Sequence, residues 1–386
     1  MIKENEKIRL IASATMGVES LVRDECKELG FQEIETFNGR CEFSGNVRDI
    51  AVANIHLRCA DRVFLKMGEF KARSFEELFD KVYALPWEDV IPEDGEFPIS
   101  WVSSVKSKLY SKSDIQRISK KAIVEKLKKK YKIDYFHETG AKYAVKIQAN
   151  KDNFIVMIDT SGEGLHKRGY RAIKNEAPIK ETLAAALVYL SRWAKRDIPL
   201  IDPMCGTGTL LIEAAMIARN IAPGSNRNFA SEKWSIIPEQ FWLDVRDDAF
   251  SQEDYDREVK IYGSDIDPDT VEIARANIIK AGVDDDIILS CKNFLDLEVD
   301  EKYGSMITNP PYGDRLLDEE KVERLYGLLG DVCRMRLPKW SYYIITSQKN
   351  FETSFGKRAT KNRKLYNGGI ECYYYQYYGE RNDRKR

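Results

Sequence analysis

The sequence predicts an α/β chain in two parts. An α+β N-terminal half precedes a C-terminal doubly wound (Rossmann-like) parallel sheet with a terminal antiparallel hairpin. Three observations predict it. From about residue 179 onward, short apolar runs alternate with helical patterns, which is how a parallel sheet with crossover helices reads. At 200–215 a short apolar strand enters a glycine turn and passes directly into a helix. At 364–378 an aromatic, β-prone run folds back around Asn367-Gly368-Gly369, as a hairpin does.

In the first half, 7–14 is a half-alternating apolar run. Residues 17–29 place Val18, Leu21, Val22, Cys26 and Leu29 at helical spacing before Gly30 stops the helix. Residues 31–37 and 40–43 form a strand pair around Asn38-Gly39, a strong hairpin signal. A helix over 47–57 and a strand over 62–70 follow. Ser74 and Glu77 have capping-box spacing and open a helix that ends near Leu85-Pro86. The half closes with a strand at 97–105, a long helix from Ser113, and a strand pair at 143–149 and 153–159. A glycine-rich linker, 161–178, leads to a helix over 179–195. Then come strands at 199–201, 260–265, 287–289, 306–308 and 342–346, with helices at 210–218, 270–281 and 322–337. Residues 220–255 read as an irregular insertion.

A length of 386 residues fits two or three domains. With 43% hydrophobic and 32% charged residues, the chain can bury a core and is not a disordered polymer. The longest apolar runs, such as 183–190, fall far short of the roughly 18 residues of a membrane helix. The N-terminus lacks the apolar segment of a signal peptide. Seven cysteines stand singly, without a C-x-x-C pair, beside three histidines. That pattern argues against a zinc site or a disulfide framework, so no metal, no membrane and a cytoplasmic location are expected.

The net charge of −1 hides segregation. Residues 101–150 carry 13 Lys/Arg against 4 Asp/Glu, whereas 232–304 carry 8 against 20. The stretch from Lys349 onward returns to 10 against 4. Basic regions flanking an acidic one suggest a polyanion gripped by the flanks.

Four pieces carry chemistry. In Asp202-Pro203-Met204-Cys205-Gly206-Thr207-Gly208 the glycines let backbone N–H groups approach a ligand at a helix N-terminus. There is no G-K-[ST], which disfavours triphosphate hydrolysis. Asp265, ending the second strand of the pattern, is placed for a ribose diol. Asp296, in Asn293-Phe294-Leu295-Asp296, can accept from an adenine amine. Asn309-Pro310-Pro311-Tyr312 ends the fourth strand, and its prolines fix the backbone. The Asn309 amide and Pro310 carbonyl can then hold both protons of a planar –NH2 group, with Tyr312 as a stacking face.

In this order, these motifs resemble the class I S-adenosylmethionine-dependent methyltransferases that act on amino groups. Residues 114–124, the strand before them and Gly164-Leu165-His166-Lys167-Arg168-Gly169-Tyr170-Arg171 are similar to the THUMP-containing RNA methyltransferases. In particular they resemble bacterial enzymes that methylate guanine N2 in large-subunit ribosomal RNA. The resemblance implies a ferredoxin-like domain at 1–65, a THUMP RNA-binding domain at 66–162 and a methyltransferase domain at 163–386. It implies S-adenosylmethionine as cofactor, wrapped by Pro203, Cys205, Gly206, Gly208 and Thr209, with Asp202 ordering its ammonium. Asp265 and Asp267 would meet the ribose, Ile266 and Asp296 the adenine, and Pro178 and Glu181 would close over the cofactor. Asn309, Pro310, Pro311 and Tyr312 would be catalytic. RNA, ribosomal rather than transfer, is the expected partner, gripped by Lys106, Lys108, Lys112, Arg117 and Lys120. Lys167, Arg168 and Arg171 would guide the strand. In some relatives a second methyltransferase domain follows; the chain shows one, and one methylation is expected. The alternatives are a transfer RNA guanine-N2 methyltransferase of the same architecture and an RNA-binding ribosome-assembly protein with a vestigial cofactor site.

Overall fold

The strands assemble into two seven-stranded sheets in a computed structural model that describes residues 3–171, 179–311 and 319–380. Each sheet belongs to one of two units of the chain.

The first unit takes the chain up to Ala14, then 22–165 and 227–248. Its strands are β1 (Ile8–Ala14), β2 (Gln32–Phe37), β3 (Arg40–Gly45), β4 (Ala60–Lys71), β5 (Ile99–Val105), β6 (Val145–Asn150) and β7 (Asn153–Asp159). They lie in the order β2-β3-β1-β4-β7-β6-β5. The 12 residues of β4 let it pair with β1 on one side and β7 on the other, so the two N-terminal segments share one sheet. The helices are α1 (Glu19–Glu28), α2 (Val47–His56), α3 (Phe75–Tyr83) and α4 (Lys112–Tyr131). Each buries a stripe at helical spacing, such as Ile115, Ala122, Ile123 and Leu127 of α4. α4 is the crossover that parallel β5 and β6 require. Asn46 caps α2 through a full capping box with Asp49. Ser74 caps α3, but Glu77 turns to the Arg73 N–H instead.

The stretch expected to be irregular contains a helix, α7 (Glu239–Ser251), and most of it packs within this first unit. Trp234 stacks on Tyr143 at 4.8 Å and donates to Lys142 O. Ser231 donates to Thr160 O at 2.8 Å, and Phe229 stacks on Trp242.

The second unit takes 15–21, 166–226 and 249 onward. Its strands are β8 (Leu200–Asp202), β9 (Ile261–Asp265), β10 (Ile287–Cys291), β11 (Ser305–Thr308), β12 (Ser341–Thr346), β13 (Lys361–Asn367) and β14 (Ile370–Tyr377). The order is β10-β9-β8-β11-β12-β14-β13. β8 to β12 are parallel, and β14 joins β12 antiparallel, so the terminal hairpin closes the sheet as expected. The helices are α5 (Glu181–Ser191), α6 (Thr209–Ala218), α8 (Pro268–Ala281), α9 (Glu319–Arg336) and α10 (Phe351–Phe355). An aromatic cluster holds the far side, with Tyr326, Trp340, Phe351, Phe355, Tyr375 and Tyr377 all buried. From β8 the chain steps outward to β9 and β10, then returns past β8 to β11. The strand order therefore reverses between β8 and β11, where doubly wound sheets open a crevice for ligands.

Candidate cofactor site and amine clamp

Two of the predicted motifs sit at that reversal. Leu200 and Ile201 of β8 pair with Ser305 and Met306 of β11, so the glycine turn and the Asn309 turn leave adjacent strand ends. Gly206 and Gly208 both take positive φ, 53° and 82°, which L side chains rarely adopt. A Cβ on Gly206 would meet nothing, so its missing side chain leaves open space; one on Gly208 would make ordinary contact with Ala274 of α8. At Gly263 a Cβ would overlap Leu211, which explains the close approach of β9 to α6.

Asp265 orders the turn from the neighbouring strand. One carboxylate oxygen accepts from Gly206 N at 2.9 Å and the other from Asp267 N at 3.1 Å. Each oxygen keeps acceptor capacity. Beside it, Ile266 is 66% exposed, a flat apolar surface at a strand end. Asp267 is the N-cap of α8, accepting from Asp269 N and Thr270 Oγ1. Its carboxylate, expected at the ribose, is engaged in capping. Asp296 is exposed on the short turn after β10, with Asn293 capping that turn.

Asp202 is buried, and desolvation, joined by the nearby Asp265 charge, pushes its carboxyl up to about 7. Met204 N donates to it. Pro203 is buried beside it. Cys205 is buried, and burial pushes its thiol above the usual range, as packing rather than nucleophilic chemistry requires.

Asn309 follows β11. Its carboxamide oxygen is buried and has no hydrogen-bond partner among the described residues. Pro310 is buried and Pro311 exposed. Tyr326 of α9, which sequence reasoning missed, braces this turn: its hydroxyl donates to Pro311 O at 3.3 Å and pairs with Thr346 Oγ1 at 2.8 Å. Pro178 and Tyr312 lie outside the described residues.

Glu181 opens α5. Its carboxylate is buried beside Arg171, and burial holds it above the ordinary carboxylate range. Arg171 donates to Ile179 O at 2.7 Å and to Thr209 Oγ1 at 2.9 Å, tying both sides of the linker to the start of α6. Arg168 is 3% exposed and faces Glu213 at 3.3 Å, and Tyr170 donates to that same Glu213. The expectation that Arg168 guides a nucleic acid is therefore corrected: its guanidinium lies on buried Glu213, because a charge in a core must be paired. Arg171 is half-buried and pairs with Glu181. Lys167 is exposed.

Among the other basic residues, Lys106, Lys108, Lys112 and Arg117 are exposed, with Arg117 at 3.1 Å from Asp114. Lys120 is half-buried. It pairs with Glu138 at 2.8 Å, donates to Phe97 O and lies 3.5 Å over the Phe97 ring. Among the described residues no helix is long and apolar enough to cross a membrane.

A strand reversal, a glycine turn with open space before a helix, an acid bonded to that turn and an orphaned carboxamide have the arrangement of a class I methyltransferase site. The residues fit S-adenosylmethionine: a buried carboxyl near neutrality suits an ammonium, and Ile266 suits an adenine face. Family models match the "RlmL ferredoxin-like domain" over 9–64, the "THUMP domain" over 72–159 and the "RMKL-like, methyltransferase domain" over 168–376. The chain belongs to the RMKL-like family of THUMP-containing, S-adenosylmethionine-dependent methyltransferases. It is 46% identical to the Bacillus subtilis protein named "Putative RNA methyltransferase YpsC", over 99% of each chain. It is 33% identical to "Ribosomal RNA large subunit methyltransferase K/L" of Desulfotalea psychrophila, across 96% of this chain and 52% of that protein. The solved structure of SMU.472 complexed with SAH superposes with a TM-score of 0.91, at 44% identity, over 97% of this chain and 99% of that one.

Proposed function

We propose that this protein methylates the exocyclic N2 amine of a guanine in large-subunit ribosomal RNA. The observation that carries the reading is the buried, unpartnered carboxamide oxygen of Asn309 at the strand reversal. A buried acceptor without a donor costs roughly 1–3 kcal/mol, and one N–H of a planar –NH2 group donated to it would relieve it. The Pro310 carbonyl, on a backbone two prolines make rigid, accepts a hydrogen bond from the second N–H. S-adenosylmethionine supplies, when bound, a methyl group on a positively charged sulfur. Asn309 and Pro310 aim the nitrogen lone pair and hold the amine while it becomes cationic, and its extra proton then leaves to water. Alignment rather than acid–base chemistry carries the rate, which needs no strong base.

Support for RNA comes from the THUMP match and from what the named relatives act on. Guanine in ribosomal RNA is favoured by the likeness to the large-subunit methyltransferases. A base in a helix would have to be flipped, at a few kcal/mol.

Asn309→Ala should lower kcat by about 100-fold, the scale of a misplaced reacting atom, and leave cofactor affinity in a titration unchanged. Nucleoside mass spectrometry of RNA from cells lacking the protein should show less N2-methylguanosine in large-subunit RNA. A loss confined to transfer RNA would move the assignment there, and no loss from any RNA would overturn it.

A further inference from the structure

One end of the first sheet gathers cations that are far apart in sequence. Lys71 ends β4 and Arg73 follows it, Lys106 and Lys108 follow β5, Lys112 opens α4, and Lys151 sits in the β6–β7 turn; all are exposed. Asp152 welds these segments. Its carboxylate accepts from Lys108 N at 2.6 Å and from Arg73 Nε at 3.1 Å, and its N–H donates to Ser107 Oγ at 3.0 Å. Its carbonyl accepts from Ala72 N, and Lys151 N donates to Val105 O. The acids within this network are occupied, with Glu77 on Arg73 N, Asp114 on Ser111 and Arg117, and Glu69 on Asn153 and Lys66.

The backbone here is strained. Lys106, Lys151 and Asp152 have φ of 49°, 52° and 64°. A two-residue hairpin turn of this kind ordinarily takes Asn-Gly, and Lys at such an angle persists only where its surroundings hold it, often at functional sites. From the same loop, Tyr110 stands 81% exposed.

We propose that this end of the sheet binds a single-stranded RNA segment, with phosphates on Lys106, Lys108, Lys151 and Arg73 and an unpaired base stacked on Tyr110. The inference rests on the RNA reading above and deepens it. Cations alone would suit any polyanion, and the ring selects among them. Duplex RNA offers phosphates but no free base face, whereas unpaired bases stack on exposed aromatics.

The test uses the full chain and the fluorescence anisotropy of a labelled single-stranded RNA and of a duplex of equal length, each at several salt concentrations. The Lys106→Ala/Lys108→Ala/Lys151→Ala variant should lose about 2 from the slope of log affinity against log salt, near 0.7 per lost contact on a single strand. Tyr110→Ala should weaken single-strand binding about tenfold at one salt concentration, with the slope and duplex binding unchanged. A Lys129→Ala/Lys130→Ala variant on α4 should keep the wild-type slope, which shows that net charge alone is not responsible. Circular dichroism and thermal melting of each variant report that it is folded. Wild-type affinity and slope in the triple variant, or equal losses for duplex and single strand in Tyr110→Ala, overturn the proposal and leave the RNA reading standing. Failure of the wild-type protein to bind either RNA overturns both.

Discussion

Asp202 sits at the end of a buried strand with its carboxyl held near pH 7 by desolvation and by the Asp265 charge. Its folded value lies above the roughly 3.9 of an unfolded aspartate. The folded protein therefore keeps a proton that the unfolded chain releases, and stability falls as pH rises from about 4 through 7. Asp202→Asn should remove that dependence. Its Tm relative to wild type should climb between pH 5 and 8, corresponding to a few kcal/mol at most, while its cofactor affinity drops most at the higher pH, where wild type is ionised. Parallel Tm-against-pH curves would refute this. The motif residues of this site are local in the chain, which is why 202–209 and 309–311 were legible: strand, turn and helix follow within a dozen positions. Arg168 was not legible. Its carboxylate partner, Glu213, is 45 residues away, and a sequence shows a cation without showing whether it is already neutralised in a core.

At the scale of elements, the proposed clamp leans on a helix that carries none of its atoms. α9 lies beyond Asn309 in sequence and returns to place Tyr326 under the proline turn. Burial pushes this phenol up to about 12, so it remains a donor at every physiological pH. Tyr326→Phe should cost about 1 kcal/mol of stability and lower kcat several-fold, with cofactor affinity unchanged, since the turn loses its brace but not its acceptors. An unchanged kcat would show that the prolines alone fix the turn. The strands and most helices were readable because each carries its own period and its own stop. α7 was passed over although Phe241, Trp242, Val245 and Ala249 have helical spacing. Its surroundings, with two prolines, three asparagines and Gly224 before it, read as loop, and the partner of its apolar face lies in another part of the chain.

At the scale of the molecule, the domains do not follow one another cleanly along the chain. Residues 227–248 leave the second unit, complete the first and return. Trp234 is 1% exposed, covers Tyr143 and satisfies Lys142 O, while Ser231 satisfies Thr160 O. A cut at residue 165, where periodicity and the glycine-rich linker invite one, would strip that cover from the first unit. Removing a buried aromatic alone costs about 3–5 kcal/mol, a large share of the 5–15 kcal/mol that holds a domain folded. The fragment 1–165 should therefore bind ANS, melt well below the full chain and show poor amide protection in β6 and β7. Adding a peptide of residues 227–248 should restore protection there first. A fragment that melts cooperatively at the temperature of the intact protein, without the peptide, would show that the excursion is decoration. If instead the peptide rescues it, the first unit forms fully only after residues 227–248, partway through the methyltransferase segment, have been synthesised.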